Sequence, residues 1–169
     1  MSFQDKLLDS FIAFEQVVDL DNPIHTDRKN ALKRFESKGF PTKKDELWKY
    51  TSLKSIIQKD YSLSVKSNPN VGLKDIKKYS INDIDSYKIV FVDGVFNPFL
   101  SNTTHDGMDI CVLSAALSKT KYKNTITKYF NKIVPDDQSL ASLNTSYTKE
   151  GAYIHIPKSV LPEDPVQIL

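Results

Sequence analysis

The spacing of apolar residues changes near Tyr87, and this change limits the possible fold more than any other feature of the chain. Before it, four apolar residues follow one another at steps of four, three and four, as on one helix face. These residues are Leu7, Phe11, Phe14 and Val18. After it, the run at 89–92 consists of β-branched and aromatic residues, which strands favour. Helices followed by strands indicate the α+β class.

The first part of the chain is predicted to form a helical hairpin. Ser2 followed by Asp5 has the form of a capping arrangement, and the first helix is expected to run from there to about Asp19, because Asn22-Pro23 breaks the pattern. Thr26 or Asp27 is expected to cap the second helix, and Gly39 to end it. The inward residues of this second helix are predicted to be Ala31, Leu32 and Phe35.

A third apolar stretch follows Pro41. Thr42 and Asp45 have the spacing of a capping box, so a further helical stretch with a less regular stripe is expected there. Its apolar residues are Leu47, Trp48, Leu53, Ile56 and Ile57.

Strands and helices are both predicted after residue 86. Asp93-Gly94 is a strong signal for a two-residue hairpin turn. A strand at 109–113 is expected to precede a helix that Pro135 ends, and Ser139 can cap another helix through about Tyr147. A strand at 152–156 follows. The stripe of the first of these helices is Tyr122, Ile126, Tyr129 and Ile133.

The predicted organisation is a helical segment at 1–60, a loop-rich connection at 61–86, a small α+β segment at 87–160 and a final segment at 161–169. The final segment reads as the entry into a strand. The chain is therefore expected to stop before its architecture is complete.

Composition narrows the function classes. The 169 residues carry a net charge of +2, and Arg28 and Arg34 are the only arginines. Base and phosphate recognition favour the arginine fork, so specific nucleic-acid binding is not expected.

Cysteine content and hydropathy suggest a location. A single cysteine cannot form an internal disulfide, which suits a reducing compartment. The first 16 residues contain four charged side chains and lack the uninterrupted apolar region of a signal peptide. No run approaches the length of a membrane span. We therefore expect a cytoplasmic protein with no membrane partner.

Cys111 is the first candidate for chemistry, since thiolates serve as nucleophiles and cluster ligands. It lies in the run Asp-Ile-Cys-Val-Leu, where a small buried apolar residue fits a strand, so we expect a core position. A triad of His105, Asp109 and Cys111 is a minor hypothesis. His25, His105 and His155 lie in different predicted elements without metal-ligand spacing, so no metal site is expected.

Trp48 and Tyr50 allow two interpretations. Each has a large apolar area and a polar tip, so they either anchor a protein partner or pin the helical hairpin by packing, and packing is preferred. Lysines alternate with aromatic residues around Tyr122 and Tyr129, as in surfaces that bind single strands. A helix with an apolar stripe on one face and solvent-exposed lysines on the other explains this alternation more simply. The lysines are Lys119, Lys121, Lys123, Lys128 and Lys132.

Two segments resemble the amino-terminal region of the SufD family, the scaffold-type subunit of the SUF iron-sulfur cluster assembly machinery. They are GFPTKKDELWKYT at 39–51 and LNTSYTKEGAYIHIP at 143–157, with the strand ending FVDG at 91–94 between them. The order and approximate spacing agree with that family. The most specific residues are Asp45, Glu46, Trp48, Lys49, Tyr50 and Thr51.

The resemblance implies a non-catalytic scaffold subunit of a SufBCD complex for iron-sulfur cluster biogenesis. Its implied partners are a SufB-like paralogue and a SufC-type ABC ATPase, with iron-sulfur acceptor proteins as indirect partners. It also implies that a right-handed parallel β-helix follows, with 165–169 as its first rung.

The family's cluster-related and ATPase-contacting residues lie in the β-helix and the carboxyl-terminal helices. The resemblance therefore assigns no catalytic, cofactor-binding or metal-binding residue here, and the cluster would be handled transiently by the full complex. Two alternatives from other classes remain open at this point. One is a self-contained module that binds a protein or a nucleic acid, and the other is an enzyme that uses Cys111.

Overall fold

The computed structural model describes residues 1–59, 61, 63, 68, 70–81, 83–104 and 107–169. Its contacts divide the chain into two interleaved units. The first unit comprises Met1–Leu63 and Thr120–Lys149, and the second comprises Ser64–Lys119 and Glu150–Leu169. Both helices and strands are present, and each sheet among the described residues contains two strands.

The helices of the first unit are α1 (Phe3–Glu15), α2 (His25–Lys38), a 3-10 helix (Glu46–Trp48), α3 (Lys54–Ile57), α6 (Thr120–Tyr129) and α7 (Ser139–Ser146). The second unit contains the helices α4 (Leu73–Ile76) and α5 (Leu113–Leu117). Its strands are β1 (Tyr87–Ile89), β2 (Phe91–Val92), β3 (Val95–Phe96), β4 (Asp109–Val112), β5 (Ala152–His155) and β6 (Val166–Ile168).

Helix α1 begins with the predicted capping box. The Asp5 N–H donates to Ser2 Oγ at 3.1 Å, and the Ser2 N–H donates to the Asp5 carboxylate at 2.8 Å. The helix ends at Glu15 and not at Asp19, because the Val17 N–H turns back to the Phe14 carbonyl and closes a tighter last turn.

Helix α2 begins at His25, so the predicted cap at Thr26 or Asp27 is wrong. Asn22 forms the turn before it: its side-chain oxygen accepts from Ile24 N–H, and its carbonyl accepts from His25 N–H. Gly39 ends the helix as predicted, with φ of +68° and its N–H bonded to the Phe35 carbonyl.

The core of the first unit lies where α2 packs on α7. Ala31 and Phe35 are fully buried, as predicted, and the rings of Phe11 and Phe14 pack against the ring of Tyr147. Small side chains on α7 let it pack closely against its neighbours. Its buried residues are Ser139, Ser142, Thr145 and Ser146.

Helix α6 is shorter than its apolar stripe predicts. It ends at Tyr129, because Asn131 has φ of +54° and leaves the helical conformation before Pro135 is reached. Tyr122 and Ile126 are buried as expected, but Tyr129 is 55 % exposed and Ile133 is 84 % exposed, so the last two positions of the predicted stripe are wrong. The next helix starts at Ser139 itself, without a side-chain cap.

The hairpin of the second unit is confirmed. β2 and β3 pair antiparallel, with Phe91 opposite Phe96 and Val92 opposite Val95. Asp93 and Gly94 both have positive φ, at 52° and 76°, as a type I′ turn requires.

Two further strand pairs join distant parts of the second unit. β4 pairs antiparallel with β5, while β1 pairs parallel with β6, with Ile89 opposite Ile168. The parallel ladder continues beyond the strands, since Leu169 N–H donates to the Ile89 carbonyl and Phe91 N–H donates to the Leu169 carbonyl. The predicted strands at both ends of this unit are therefore present, and the rung of a β-helix remains a prediction.

Among the described residues, the core of the second unit includes two small apolar clusters. One contains Ile76, Val90, Val92 and Leu100. The other contains Ile89, Met108 and Ile110.

Within the described ranges, no helix combines the length and the apolar content that crossing a membrane requires.

Candidate functional site

The Trp48 segment, defined here as residues 42–57, is held by a series of tight turns. Thr42 N–H and the Thr42 hydroxyl donate to the Asp45 carboxylate at 2.7 and 3.1 Å. Thr42 Oγ in turn accepts from the Lys44 N–H at 3.2 Å. The predicted capping pair thus forms, but only one 3-10 turn follows it.

Backbone hydrogen bonds continue along the segment after this turn. The Trp48 N–H donates to the Asp45 carbonyl at 2.8 Å, and the Thr51 N–H donates to the Trp48 carbonyl at 2.9 Å. Helix α3 then begins with Ile57 N–H bonded to the Leu53 carbonyl. Because the turns are bonded internally, the side chains of the segment are presented in a defined arrangement.

Apolar side chains of this segment face solvent. Leu47 is 76 % exposed, Tyr50 is 90 % exposed and Ile56 is 48 % exposed. Trp48 is half-buried. Leu47 and Ile56, two members of the predicted apolar stripe, are thus exposed, so the stripe is wrong at these positions, and the preferred packing role does not hold for Tyr50. Packing remains a role for Trp48 alone.

Charge surrounds these apolar side chains. Four exposed lysines belong to the segment, and the Lys49 ammonium lies 5.6 Å from the centre of the Tyr50 ring. The Thr42 N–H, and then the Thr42 hydroxyl, lower the pKa of Asp45 below its ordinary value, so that this acid is ionised beside them. The lysines are Lys43, Lys44, Lys49 and Lys54.

Cys111 lies on β4 with its partner Tyr153 directly opposite on β5. It is half-buried and two residues from Asp109, on the strand face opposite buried Ile110. The expected core position is therefore wrong. Burial raises the pKa of the Cys111 thiol, and Asp109 and Glu150 add to this effect while Lys119 opposes it. The thiol is consequently protonated near neutral pH, the opposite of an activated nucleophile.

The two described histidines, His25 and His155, belong to different units. His155 Nδ1 lies 3.2 Å from the Asp109 carboxylate across the β4–β5 pair, and His25 Nε2 lies 3.1 Å from Glu15 in the first unit. His105, part of the minor triad hypothesis, lies outside the described residues. No group of three potential metal-binding side chains occurs among the residues that the structure describes.

A buried polar group in the first unit could not be predicted from sequence. Arg28 is 2 % exposed; its Nε donates to the Thr148 carbonyl at 2.7 Å, and its guanidinium lies 5.9 Å from the Phe14 ring centre. Within the described chain, its Nη1 atom and the Nδ1 atom of His25 are buried without a hydrogen-bond partner. Arginine in a polar helical stretch normally indicates a solvated face, so nothing in the sequence signals this burial.

The lysines near α6 form the solvent-exposed face of a helix and not a surface for binding single-stranded nucleic acid. Tyr122 is buried, and the Lys121 ammonium lies 4.9 Å from the centre of its ring. Tyr129 is exposed, and the Lys128 ammonium lies over its ring. One buried and one exposed aromatic do not form a stacking platform for successive bases.

A depression of about 430 Å³ lies in the second unit, between α4 and the β2 turn. Val90, Phe91 and Leu169 form its apolar wall, and Asp75 and Asp93 lie at its polar side. The Asp75 carboxylate accepts from Gly72 N–H at 3.0 Å, which caps the start of α4, and the Asp93 carboxylate accepts from Asn68 N–H at 2.9 Å, which joins the β2–β3 turn to Asn68.

The amino-acid sequence matches a known protein family and is similar to members of it. The model of the family described as SufBD protein N-terminal region matches residues 1–168. One similar protein is the iron-sulfur cluster assembly SufBD family protein slr0076 of Synechocystis, 23 % identical over 149 residues, which are 88 % of this chain and 32 % of that protein. Another is the iron-sulfur cluster assembly SufBD family protein ABCI9 of Arabidopsis thaliana, 35 % identical over 77 residues, 41 % of this chain and 16 % of that protein. The matched part is thus a third or less of the length of these relatives.

Proposed function

Because the chain belongs to the SufBD family, whose N-terminal region it carries, we propose that it serves in iron-sulfur cluster assembly as part of a non-catalytic scaffold subunit. The single observation that carries this proposal is the family match, which extends over nearly the whole chain. Both similar proteins bear names that place them in iron-sulfur cluster assembly.

Within this family we propose a SufD-like subunit in a SufBCD complex. The support is the ordered set of motifs at 39–51, 91–94 and 143–157. The proposed partners are a SufB-like paralogue and a SufC-type ABC ATPase, and acceptor proteins receive clusters from the whole complex. A reducing cytoplasm is the proposed location, supported by the single, unpaired Cys111.

A parallel β-helix is proposed to continue from β6. The parallel pairing of β1 with β6 supports it, because a parallel strand needs a long connection and presents a second edge to a further strand. Val166 and Ile168 alternate with Gln167, which is buried and accepts from the Ile81 N–H at 2.9 Å.

A scaffold role fits the chemistry of this region better than an enzyme that uses Cys111. The raised pKa of the Cys111 thiol disfavours the thiolate that a nucleophile or a ligand requires.

The test is recovery of the tagged full-length protein from a reducing, anaerobic lysate, followed by mass-spectrometric identification of the proteins that remain bound. We expect an ABC-type ATPase and a SufB-like paralogue in stable stoichiometry. Recovery of the protein without either of them, under conditions where it stays folded, contradicts the scaffold assignment.

A further inference from the structure

We propose that the Trp48 segment is a docking surface for an acidic face of a protein partner, with Leu47 and Tyr50 inserted into an apolar cleft of that face. The inference deepens the proposed function and rests on it, because the partner is expected within the same assembly. The Leu47 side chain is 76 % exposed and the Tyr50 side chain is 90 % exposed. Tyrosine is among the residues that dominate interface energetics.

The internal bonding of the segment favours binding. The Thr42–Asp45 contacts and the turn bonds at Trp48 and Thr51 hold its backbone before any partner arrives. A surface that is already ordered loses less conformational entropy on association than a flexible loop does. The half-buried Trp48 between the two exposed side chains supports this arrangement.

Charge identifies the kind of partner. The segment contains four exposed lysines and two acids, so its excess charge is positive and complements an acidic surface. Asp45 and Glu46 lie between the lysines, and an ionised Asp45 would repel a uniformly anionic surface. Lipid headgroups and nucleic acid are therefore poorer matches than an acidic protein face that also carries some basic side chains.

The test places the photo-crosslinking residue p-benzoylphenylalanine at position 50 of the tagged full-length protein. After irradiation in cells, linked peptides are identified by mass spectrometry. We expect a linked peptide from another protein of the assembly, with Asp and Glu outnumbering Lys and Arg around the linked residue. The matched control carries the crosslinker at Tyr79, which is 77 % exposed and lies outside the segment.

A charge-reversal variant tests complementarity. Reversal of Lys43, Lys44 and Lys49 to Glu should lower the yield of that crosslink by about tenfold, as expected for the loss of several exposed charge pairs. Reversal of three exposed lysines elsewhere in the first unit should leave it unchanged. These control positions are Lys29, Lys33 and Lys123.

The outcomes separate this inference from the proposed function. If the ATPase and the paralogue are recovered but position 50 links to nothing, only to a second copy of the chain, or to lipid or nucleic acid, the docking surface is wrong and the scaffold role stands. An unchanged yield in the Lys43/Lys44/Lys49 variant also overturns it. If neither partner is recovered but position 50 still links to an acidic peptide with the expected charge dependence, the docking surface stands and the scaffold role fails.

Discussion

Tyr147 shows how one side chain can stabilise the first unit. Its hydroxyl donates to the Leu7 carbonyl and lies 2.6 Å from Ser10 Oγ, and its ring packs edge-on against Phe11 at 5.7 Å. The hydroxyl thus connects α7 to α1 by a polar contact within an aromatic cluster. Tyr50, in contrast, is nearly fully exposed.

These two tyrosines form a matched pair for a stability measurement. Tyr147→Phe should lower the free energy of unfolding by about 1 kcal/mol, because it removes a partly buried hydrogen bond and retains the ring. Tyr50→Phe should change it by less than about 0.5 kcal/mol. Urea denaturation followed by Trp48 fluorescence measures both, and an equal loss in the two variants would contradict the role of the Tyr147 hydroxyl.

Cys111 offers a test of electrostatics at the same scale. Because burial raises its pKa, the thiolate fraction at pH 8 is below that of an ordinary thiol, and alkylation by iodoacetamide should be slower. The rate should rise with pH through a midpoint above that of an exposed cysteine. The comparison is with a chain carrying Cys111→Ser and Ser159→Cys, since Ser159 is exposed.

If iodoacetamide alkylated Cys111 as fast as the cysteine at position 159, or faster, this prediction would be contradicted. That outcome would also return the thiol to consideration as a reactive group. A folded state in both chains is required and is checked by circular dichroism before alkylation.

At the scale of elements, the β2–β3 hairpin depends on backbone conformation. Gly94→Ala should lower the free energy of unfolding by about 1 to 2 kcal/mol, because the alanine Cβ opposes φ of +76°. Gly72→Ala is the matched control: a Cβ at either position meets nothing within 4 Å, and Gly72 has an extended backbone with φ of −124°. The control should be neutral or slightly stabilising.

Chemical denaturation of the two glycine variants measures this difference. A Gly94→Ala chain as stable as the unsubstituted chain would mean that the hairpin adopts another turn. Equal losses in both would assign the effect to the side chain and not to φ.

Sequence patterns predicted elements where local chemistry decides the structure. The Ser2–Asp5 capping box, the end of α2 at Gly39 and the Asp93-Gly94 turn each depend on a few neighbouring residues, and each is confirmed. Predictions that needed tertiary information were less accurate. The left-handed Asn131 ended α6 early, and the exposure of Leu47 and Tyr50 could not be read from apolar character alone.

The candidate site was only partly predictable for the same reason. Both roles of the Trp48 motif were recognised in sequence, but exposure distinguishes them, and exposure depends on what packs against the segment. Likewise, the pairing of Asp109 with His155 depends on the register of β4 and β5, whose paired residues lie 40 to 46 positions apart in the chain. The burial of Arg28 depends on the Thr148 carbonyl, which α7 brings to it.

At the scale of the whole molecule, the two units interleave along the chain. The four segments predicted from the sequence are consecutive along the chain. In the structure, contacts instead join distant segments, α2 to α7 and β1 to β6. Each unit is therefore completed by residues that come from a later part of the chain.

Truncation after Lys149 tests this organisation. It removes β5 and β6, the strand partners of β4 and β1, so amides of the second unit should lose protection in hydrogen exchange by at least about tenfold. Amides of α2 and α7 should stay protected, because every segment of the first unit remains. Loss of protection in α2 together with β1 would show that the first unit does not persist by itself.

The parallel pairing of β1 with β6 also has a consequence during translation. Tyr87 leaves the ribosome about 80 residues ahead of its partner Val166, which at ordinary synthesis rates is roughly 4 to 16 s. During that interval the nascent β1 has an open backbone edge next to Ile89, a side chain that becomes fully buried. The N–H and carbonyl of Lys88, at the centre of the strand, bond to Asn102 on the opposite edge, so the edge next to Ile89 is the one that stays open to other newly made chains until β6 is synthesised.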